Sequence, residues 1–173
     1  MFDYQRIQSA KLAAIKPLGI GDFFALPADV ISLGLGEPDF DTPRKARAAA
    51  IAAIEQGMTS YTDCAGILEL RREIAAYLQR RFGYEYQPED ELLITVGGSG
   101  GFDCALRAFL EDGDEVILPT PNFSCYEPVI EMAGGISVPV PTRLEEGFRL
   151  TPQALRAAIT PRSKMLILSY PNN

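Results

Sequence analysis

Short apolar segments alternate with amphipathic segments along most of this chain, and that alternation is the strongest constraint on its fold. Residues 92–96 (LLITV), 115–118, 136–140 and 164–169 have the length and apolar character of buried strands. The segments between them are long enough for crossover helices, which parallel strands require. The pattern predicts an α/β fold of three layers, α/β/α, with a mostly parallel sheet covered on both faces.

Helix boundaries are predicted from capping signals. Thr42-Pro43 supplies a capping hydroxyl and a proline at the first helical position, and Gly57 predicts where that helix ends. A second helix is predicted from about Ile67 to Phe82, with Leu70 in its apolar stripe and Arg71 on its polar face. Further helices are predicted after the glycines at 97–101, around residues 126–133, and after Thr151-Pro152.

Composition and charge exclude several function classes. A net charge of -7 without a Lys/Arg-rich run argues against nucleic acid as a partner. The apolar runs fall far short of the ~20 residues of a membrane-spanning helix, and the start lacks the pattern of a signal peptide. Cys64, Cys104 and Cys125 are widely spaced, as in proteins with reduced thiols. We therefore expect a cytoplasmic protein that binds neither nucleic acid nor membrane.

The glycine-rich stretch at residues 96–101 (VGGSGG), between a predicted strand and a predicted helix, is the strongest local candidate for a site. Glycines let the backbone approach a ligand, and the first N–H groups of a helix favour phosphate. The same residues also fit a tight connection. As a dinucleotide fingerprint the stretch fails, because its third glycine would fall on Asp103.

A serine nucleophile is another interpretation of these residues. Gly97 to Gly101 matches G-x-S-x-G, the nucleophile elbow of α/β-hydrolases. Such a serine needs a histidine to take its proton, and this chain contains none. The interpretation therefore holds only if further sequence supplies the histidine.

Other motifs point to a family. Together with the glycine-rich stretch, residues 36–43 (GEPDFDTP), 61–71 (YTDCAGILELR), 121–126 (PNFSCY) and 170–173 (YPNN) resemble, in the right order, the class I/II aminotransferases of the aspartate aminotransferase superfamily. Those enzymes use pyridoxal 5'-phosphate (PLP). The resemblance implies a PLP fold type I large domain in incomplete form, because it covers only the amino-terminal half of the family's pattern. It divides the chain into an arm and small-domain segment, 1–42, and a PLP-binding large domain, 43–173, that stops before the catalytic lysine.

The resemblance also implies roles for individual residues. In relatives the cofactor phosphate is held at the matching glycine-rich turn, the cofactor ring by an aromatic stack and an asparagine, and the substrate carboxylate by a backbone N–H. The matching residues here are Gly98, Ser99 and Gly100 for the phosphate, Phe123 for the ring face, Asn173 for the ring oxygen, Tyr61 for the neighbouring subunit's phosphate, and Gly36 for the substrate carboxylate. No catalytic residue and no metal ligand is assigned, since the Schiff-base lysine of relatives lies further on.

The implied function is transfer of an amino group between an amino acid and a 2-oxo acid, with PLP as the cofactor. Tyr61 implies a homodimer with shared active sites. This chain is expected to be an amino-terminal fragment that is inactive alone. Two alternatives stay open: a PLP-dependent C–S β-lyase of the same fold would share every motif, and a non-catalytic fragment would retain only the phosphate-binding loop.

We predict that the isolated 173-residue chain folds poorly or self-associates. In relatives the strand matching residues 92–96 is separated from the other amino-terminal strands by strands from later in the chain, so the isolated chain would expose apolar sheet edges. Size-exclusion chromatography and binding of a hydrophobic dye measure this. A monomer with a cooperative thermal transition and no dye binding would contradict the prediction.

Overall fold

The structure is a computed structural model that describes residues 4–15, 27, 29–31, 33–34 and 36–171. The described residues form two compact units. The first unit comprises residues 4–15 and 96–171, and the second comprises the described residues from 27 to 95. The predicted division of the chain after residue 42 stays a prediction.

Helices and strands alternate in the carboxyl-terminal part of the described chain. The helices are α1 (Ala10–Ala14), α2 (Arg44–Glu55), α3 (Leu68–Phe82), α4 (Gly97–Phe109), α5 (Tyr126–Met132) and α6 (Pro152–Ala158), and the strands are β1 (Glu115–Thr120), β2 (Ile136–Pro141) and β3 (Ser163–Leu166). Short 3-10 turns lie at Tyr4–Ile7 and Leu144–Glu146. Within the described ranges, no helix combines the length and the apolarity needed to cross a membrane.

The first unit is built on a three-stranded parallel sheet of order β2-β1-β3. The central strand β1 pairs with β2 along its whole length, from Glu115 opposite Ile136 to Thr120 opposite Pro141. Its residues 115–118 are buried in succession, so both faces of the strand are covered. This confirms the predicted α/β class and the parallel sheet.

The core of the first unit fixes two helices against this sheet. Its buried members are Leu106 and Leu110 from α4 and its end, Val116 and Leu118 from β1, and Ile130 from α5. Each such side chain contributes roughly 1.5–3 kcal/mol when it is fully removed from water. The burial holds the start of α4 and the loop before α5 in place, and both carry predicted site residues.

Glycines end the two helices of the second unit, and the sequence predicts the first of them, Gly57. Gly57, with φ +72°, follows α2, and Gly83, with φ +74°, follows α3. A left-handed residue at this position lets the last carbonyl groups of a helix find donors. The start of α2 differs by one residue from the prediction, because Pro43 rather than Thr42 lies at the cap position.

The predicted strand at residues 92–96 is wrong for the described structure. Residues 92–95 are neither strand nor helix, and the Ile94 N–H donates to the Ala65 carbonyl oxygen at 3.0 Å. A strand exists only where a neighbouring strand supplies a ladder of hydrogen bonds. Apolar composition predicted a buried strand, but Leu93 and Val96 are exposed and no strand of the described chain pairs with residues 92–95.

The predicted faces of α3 are also wrong at two adjacent positions. Leu70 is 43% exposed, whereas Arg71 is only 3% exposed. Arg71 lies four residues after Ile67 and three before Ile74, so helical geometry places it on the same stripe as those apolar residues. Its guanidinium is buried because backbone and carboxylate oxygens of neighbouring loops accept its hydrogen bonds.

A buried carboxylate ties the amino-terminal ends of β1 and β3 together. Glu115 accepts hydrogen bonds from the Thr160 hydroxyl at 2.5 Å and from the Arg162 guanidinium at 2.6 and 3.0 Å. Its own N–H donates to the Arg162 carbonyl oxygen at 2.8 Å. The hydrogen bonds from Thr160, followed by those from Arg162, lower the pKa of the Glu115 carboxyl below its ordinary value of 4.5, whereas burial opposes this shift.

We predict that Glu115→Gln destabilises the natural gene product that contains this chain at pH 7. Because the folded-state pKa of Glu115 is lowered, its contribution is present above about pH 4.5 and is lost as the pH falls through the folded-state pKa. Urea unfolding of the wild type and of Glu115→Gln, measured from pH 7 downward, should therefore show a difference in the free energy of unfolding that decreases as the pH falls. Glu131→Gln, at an exposed glutamate of α5, is the control, and equal effects of the two substitutions at pH 7 would contradict the prediction.

Candidate cofactor-binding site

The amino-terminal end of α4 carries three of the predicted phosphate-binding residues. The helix begins at Gly97, so Gly98, Ser99 and Gly100 form its first turn rather than a connection ahead of it. The N–H groups of a first turn have no acceptor within the helix, and Val96 at the cap position has no side-chain oxygen to supply one. An added Cβ on Gly98 would meet no described atom within 4 Å, which leaves room for a ligand beside the backbone.

The electrostatics of this helix end favour an anion. Residues 97–100 include no acidic side chain. The nearest acidic residue along α4, Asp103, accepts from Arg107 Nε at 3.0 and 3.1 Å one turn further on. The positive end of the helix dipole is therefore not offset by a carboxylate of its own first turn. These features fit a phosphate group such as that of PLP.

Phe123 lies in the loop between β1 and α5. Asn122 Nδ2 donates to the Pro119 carbonyl oxygen at 3.1 Å, and the Tyr126 N–H donates to the Phe123 carbonyl oxygen at 3.0 Å. These two bonds give the loop a fixed turn directly after the central strand. Phe123 is half-buried there.

An aromatic cluster joins Phe123 to the glycine-rich helix. The Phe123 and Tyr126 rings meet edge to face, with centroids 5.6 Å apart, and Tyr126 meets Phe102 in the same way at 5.2 Å. Phe102 lies two residues after Gly100 in α4. The structure thus joins Phe123 to Phe102 of α4 through Tyr126, a tyrosine to which the sequence analysis gave no role.

A cavity of about 990 Å³ opens where the three strands of the first unit end. It is lined by Pro119, Pro121, Asn122, Tyr126, Thr142, Gly147, Phe148, Arg149, Leu150, Ile167, Leu168, Ser169, Tyr170 and Pro171. Ligands of parallel α/β sheets bind at this edge. The lining does not include Gly98, Ser99, Gly100 or Phe123, although Asn122 and Tyr126 from the loop and helix around Phe123 belong to it.

The remaining predicted residues lie elsewhere. Tyr61 and Gly36 belong to the second unit, where the Tyr61 side chain is fully exposed and an added Cβ on Gly36 would meet no described atom within 4 Å. Asn173 lies outside the described residues. The roles of all these residues stay predictions.

The loop that carries Tyr61 has a defined turn. Asp63 Oδ1 accepts from the Ala65 N–H at 2.8 Å, and the Gly66 N–H donates to the Asp63 carbonyl oxygen at 2.9 Å. Gly66 has φ +94°, and a Cβ built on it would lie 2.5 Å from Ile94 Cγ1. Only glycine combines this conformation with this close approach.

Comparison with known proteins identifies the family. The sequence profile of "Aminotransferase class I and II" matches residues 28–173. The chain is 42% identical over 168 residues to the aspartate aminotransferase of Pyrococcus abyssi, covering 95% of this chain and 43% of that protein. It is 39% identical over 168 residues to aromatic-amino-acid aminotransferase 2 of Thermococcus litoralis, with coverage of 95% and 43%.

A solved structure agrees with this family. Aspartate aminotransferase from Thermus thermophilus with maleate matches at a TM-score of 0.90 and 40% identity, over 96% of this chain and 45% of that one. The chain therefore belongs to the class I and II aminotransferase family, and its fold is an amino-terminal part of the PLP fold type I domain. It spans less than half the length of these relatives.

We predict that Gly66→Ala destabilises the natural gene product more than Gly57→Ala. Both glycines have positive φ, which costs an alanine about 1–2 kcal/mol. Alanine at position 66 also collides with Ile94, whereas position 57 has open space. Gly66→Ala should therefore lower the free energy of unfolding by a total on the order of 2–5 kcal/mol. Urea unfolding measures both variants, and equal losses would count against the packing of Gly66 on Ile94.

Proposed function

We propose that the protein containing this chain is a PLP-dependent aminotransferase that moves an amino group between an amino acid and a 2-oxo acid. The observation that carries the proposal is the start of α4, which has no side-chain cap hydrogen bond, in a chain of this family. When bound, PLP supplies an electron sink for the substrate's reacting carbon. This chain would hold and orient that cofactor, and the acid–base lysine is proposed to lie beyond Asn173.

The first turn of α4 would hold the phosphate. The N–H groups of Gly98, Ser99 and Gly100 and the Ser99 hydroxyl would donate to its oxygens. Backbone donors at a helix start need no rearrangement when an anion arrives, because the helix fixes their direction. Exposure of Gly98 and Ser99 supports this role.

Phe123 would hold the ring of the cofactor by stacking. Tyr126 presses on Phe123 from the side, at a centroid distance of 5.6 Å, and so limits how far the phenylalanine ring can turn. An aromatic pair contributes about 0.5–1.5 kcal/mol beyond burial. Asn173 donates to the ring oxygen in this proposal, and the Gly36 N–H binds the substrate carboxylate.

The protein acts as a homodimer with shared active sites. Full exposure of Tyr61 supports this, because a tyrosine that contacts the neighbouring subunit has no need to pack on its own unit. Residues 43–173 form the amino-terminal part of the PLP-binding domain in this proposal, and the enzyme is cytoplasmic.

The substrates are proposed only as a class. The reported relatives are named for aspartate and for aromatic amino acids, so their names do not indicate a single substrate side chain. All are named aminotransferases, which favours amino transfer over C–S cleavage.

The test is made on the natural gene product purified from its source. Its mass should clearly exceed the 18.9 kDa of this chain, its cofactor should absorb visible light, and borohydride should fix the cofactor covalently to the protein. A product of 18.9 kDa that retains no PLP after borohydride would contradict the proposal.

We predict that Ser99→Ala weakens PLP binding by about tenfold or more. A hydrogen bond to a charged group contributes about 1.5–3 kcal/mol, and 1.4 kcal/mol corresponds to a factor of ten. The measurement is a titration of the apoprotein with PLP. Ser124→Ala, at an exposed serine next to Phe123, should bind as the wild type does, and the same loss in both variants would contradict the phosphate role of Ser99.

A further inference from the structure

We propose that Arg71 is a positioning residue for Tyr61: it fixes the loop from which Tyr61 reaches the neighbouring subunit's cofactor phosphate. The inference rests on the proposed function. It starts from the burial of Arg71, which is 3% exposed on a helix whose other arginines are exposed. A buried cation is stable only where oxygen atoms are arranged around it.

The oxygens that surround Arg71 belong to two loops. Its Nε donates to the Gly66 carbonyl oxygen at 3.2 Å, and its Nη2 donates to Asp63 Oδ2 at 3.2 Å. On the other side, Nη1 donates to the carbonyl oxygens of Pro88 and Glu89, both at 2.8 Å. None of these acceptors lies in α3, so the side chain links the two loops to one another instead of stabilising its own helix. These four hydrogen bonds form the Arg71 joint.

The shape of guanidinium makes this joint specific. It presents its donors in a fixed planar fork, which can serve acceptors on two sides at once. A lysine ammonium at the end of a flexible stem is a single point and cannot hold both loops in the same arrangement. We therefore expect lysine at position 71 to hold the two loops less firmly than arginine does, although both side chains are cationic.

The joint acts on Tyr61 through the backbone. Because the Tyr61 ring is fully exposed, its position is set by the chain beneath it. Two residues later, Asp63 is held by Arg71 through one carboxylate oxygen and by the Ala65 N–H through the other. Loss of Arg71 would free the turn at residues 63–66, and Tyr61 would then occupy many positions. Its hydrogen bond to the cofactor phosphate requires a single position and would therefore be weaker.

Arg72 provides a matched control. It is the next residue of α3, it is exposed, and its Nη2 pairs with Glu89 Oε1 at 3.3 Å. An exposed pair of this kind contributes little to stability. Arg72→Lys therefore reproduces the chemical change at a position with no contact to residues 61–66 among its described hydrogen bonds.

The experiment is a double-mutant cycle in the natural gene product, with PLP affinity of the apoprotein as the readout. Tyr61→Phe should weaken PLP binding by about tenfold, since it removes a hydrogen bond to a charged group. Arg71→Lys should weaken it by a similar factor and Arg72→Lys by none. The double variant Tyr61→Phe with Arg71→Lys should bind no worse than Tyr61→Phe alone, because Arg71 acts through Tyr61.

A second readout does not depend on the cofactor. Hydrogen exchange at the Ala65 and Gly66 amides, which donate to Asp63, should be at least tenfold faster in Arg71→Lys and unchanged in Arg72→Lys. If Arg71→Lys does not fold, Asp63→Asn replaces it in the cycle, because Asp63 is exposed and an asparagine keeps an oxygen for the Ala65 N–H while it removes the charge that pairs with Arg71.

The inference would be overturned if the losses of PLP affinity add in the double variant. It would also be overturned if the variant that breaks the Arg71 joint binds PLP as tightly as the wild type does. Either result would leave the proposed function intact. A wild-type protein that binds no PLP would overturn the proposed function and with it the role of Tyr61. Faster amide exchange together with the non-additive loss would establish Arg71 as the residue that positions Tyr61.

Discussion

The first unit depends on the central strand β1. Its peptide groups pair with β2 on one side and β3 on the other, and its residues 115–118 are buried in succession. A strand in this position can exist only if neighbouring chain covers both its edges and both its faces. Glu115 secures its amino-terminal end through Thr160 and Arg162, and the loop with Phe123 follows its carboxyl-terminal end.

A different constraint organises the second unit. Arg71 is buried where a purely apolar helix face would be expected, and its charge requires the oxygens of residues 63, 66, 88 and 89. Those loops are thereby held together without a sheet. In this unit the packing of a single cation replaces the hydrogen-bond ladder that orders the first unit.

Much of the architecture could be predicted from the sequence because it depends on local rules. Gly57 and Gly83 end helices since only glycine adopts their conformation without strain, and Thr151 caps α6 by accepting from the Ala154 N–H. The parallel strands β1 to β3 were predicted from apolar runs. The predictions failed at residues 92–96 and at Arg71, where the outcome depends on which distant segments supply hydrogen-bond partners.

The sequence by itself determined the family, the alternation of strands and helices, and the glycine-rich stretch as an anion-binding candidate, because residue type and spacing along the chain decide these. Tertiary structure alone decided that Gly98 to Gly100 form the first turn of α4, that Tyr126 joins Phe123 to Phe102, and that Arg71 lies buried beneath the Tyr61 loop. The Phe102–Tyr126 and Arg71–Pro88 contacts join residues that are distant in sequence. The periodicity of a single segment carries no information about its neighbours, so such contacts are fixed only when the chain packs.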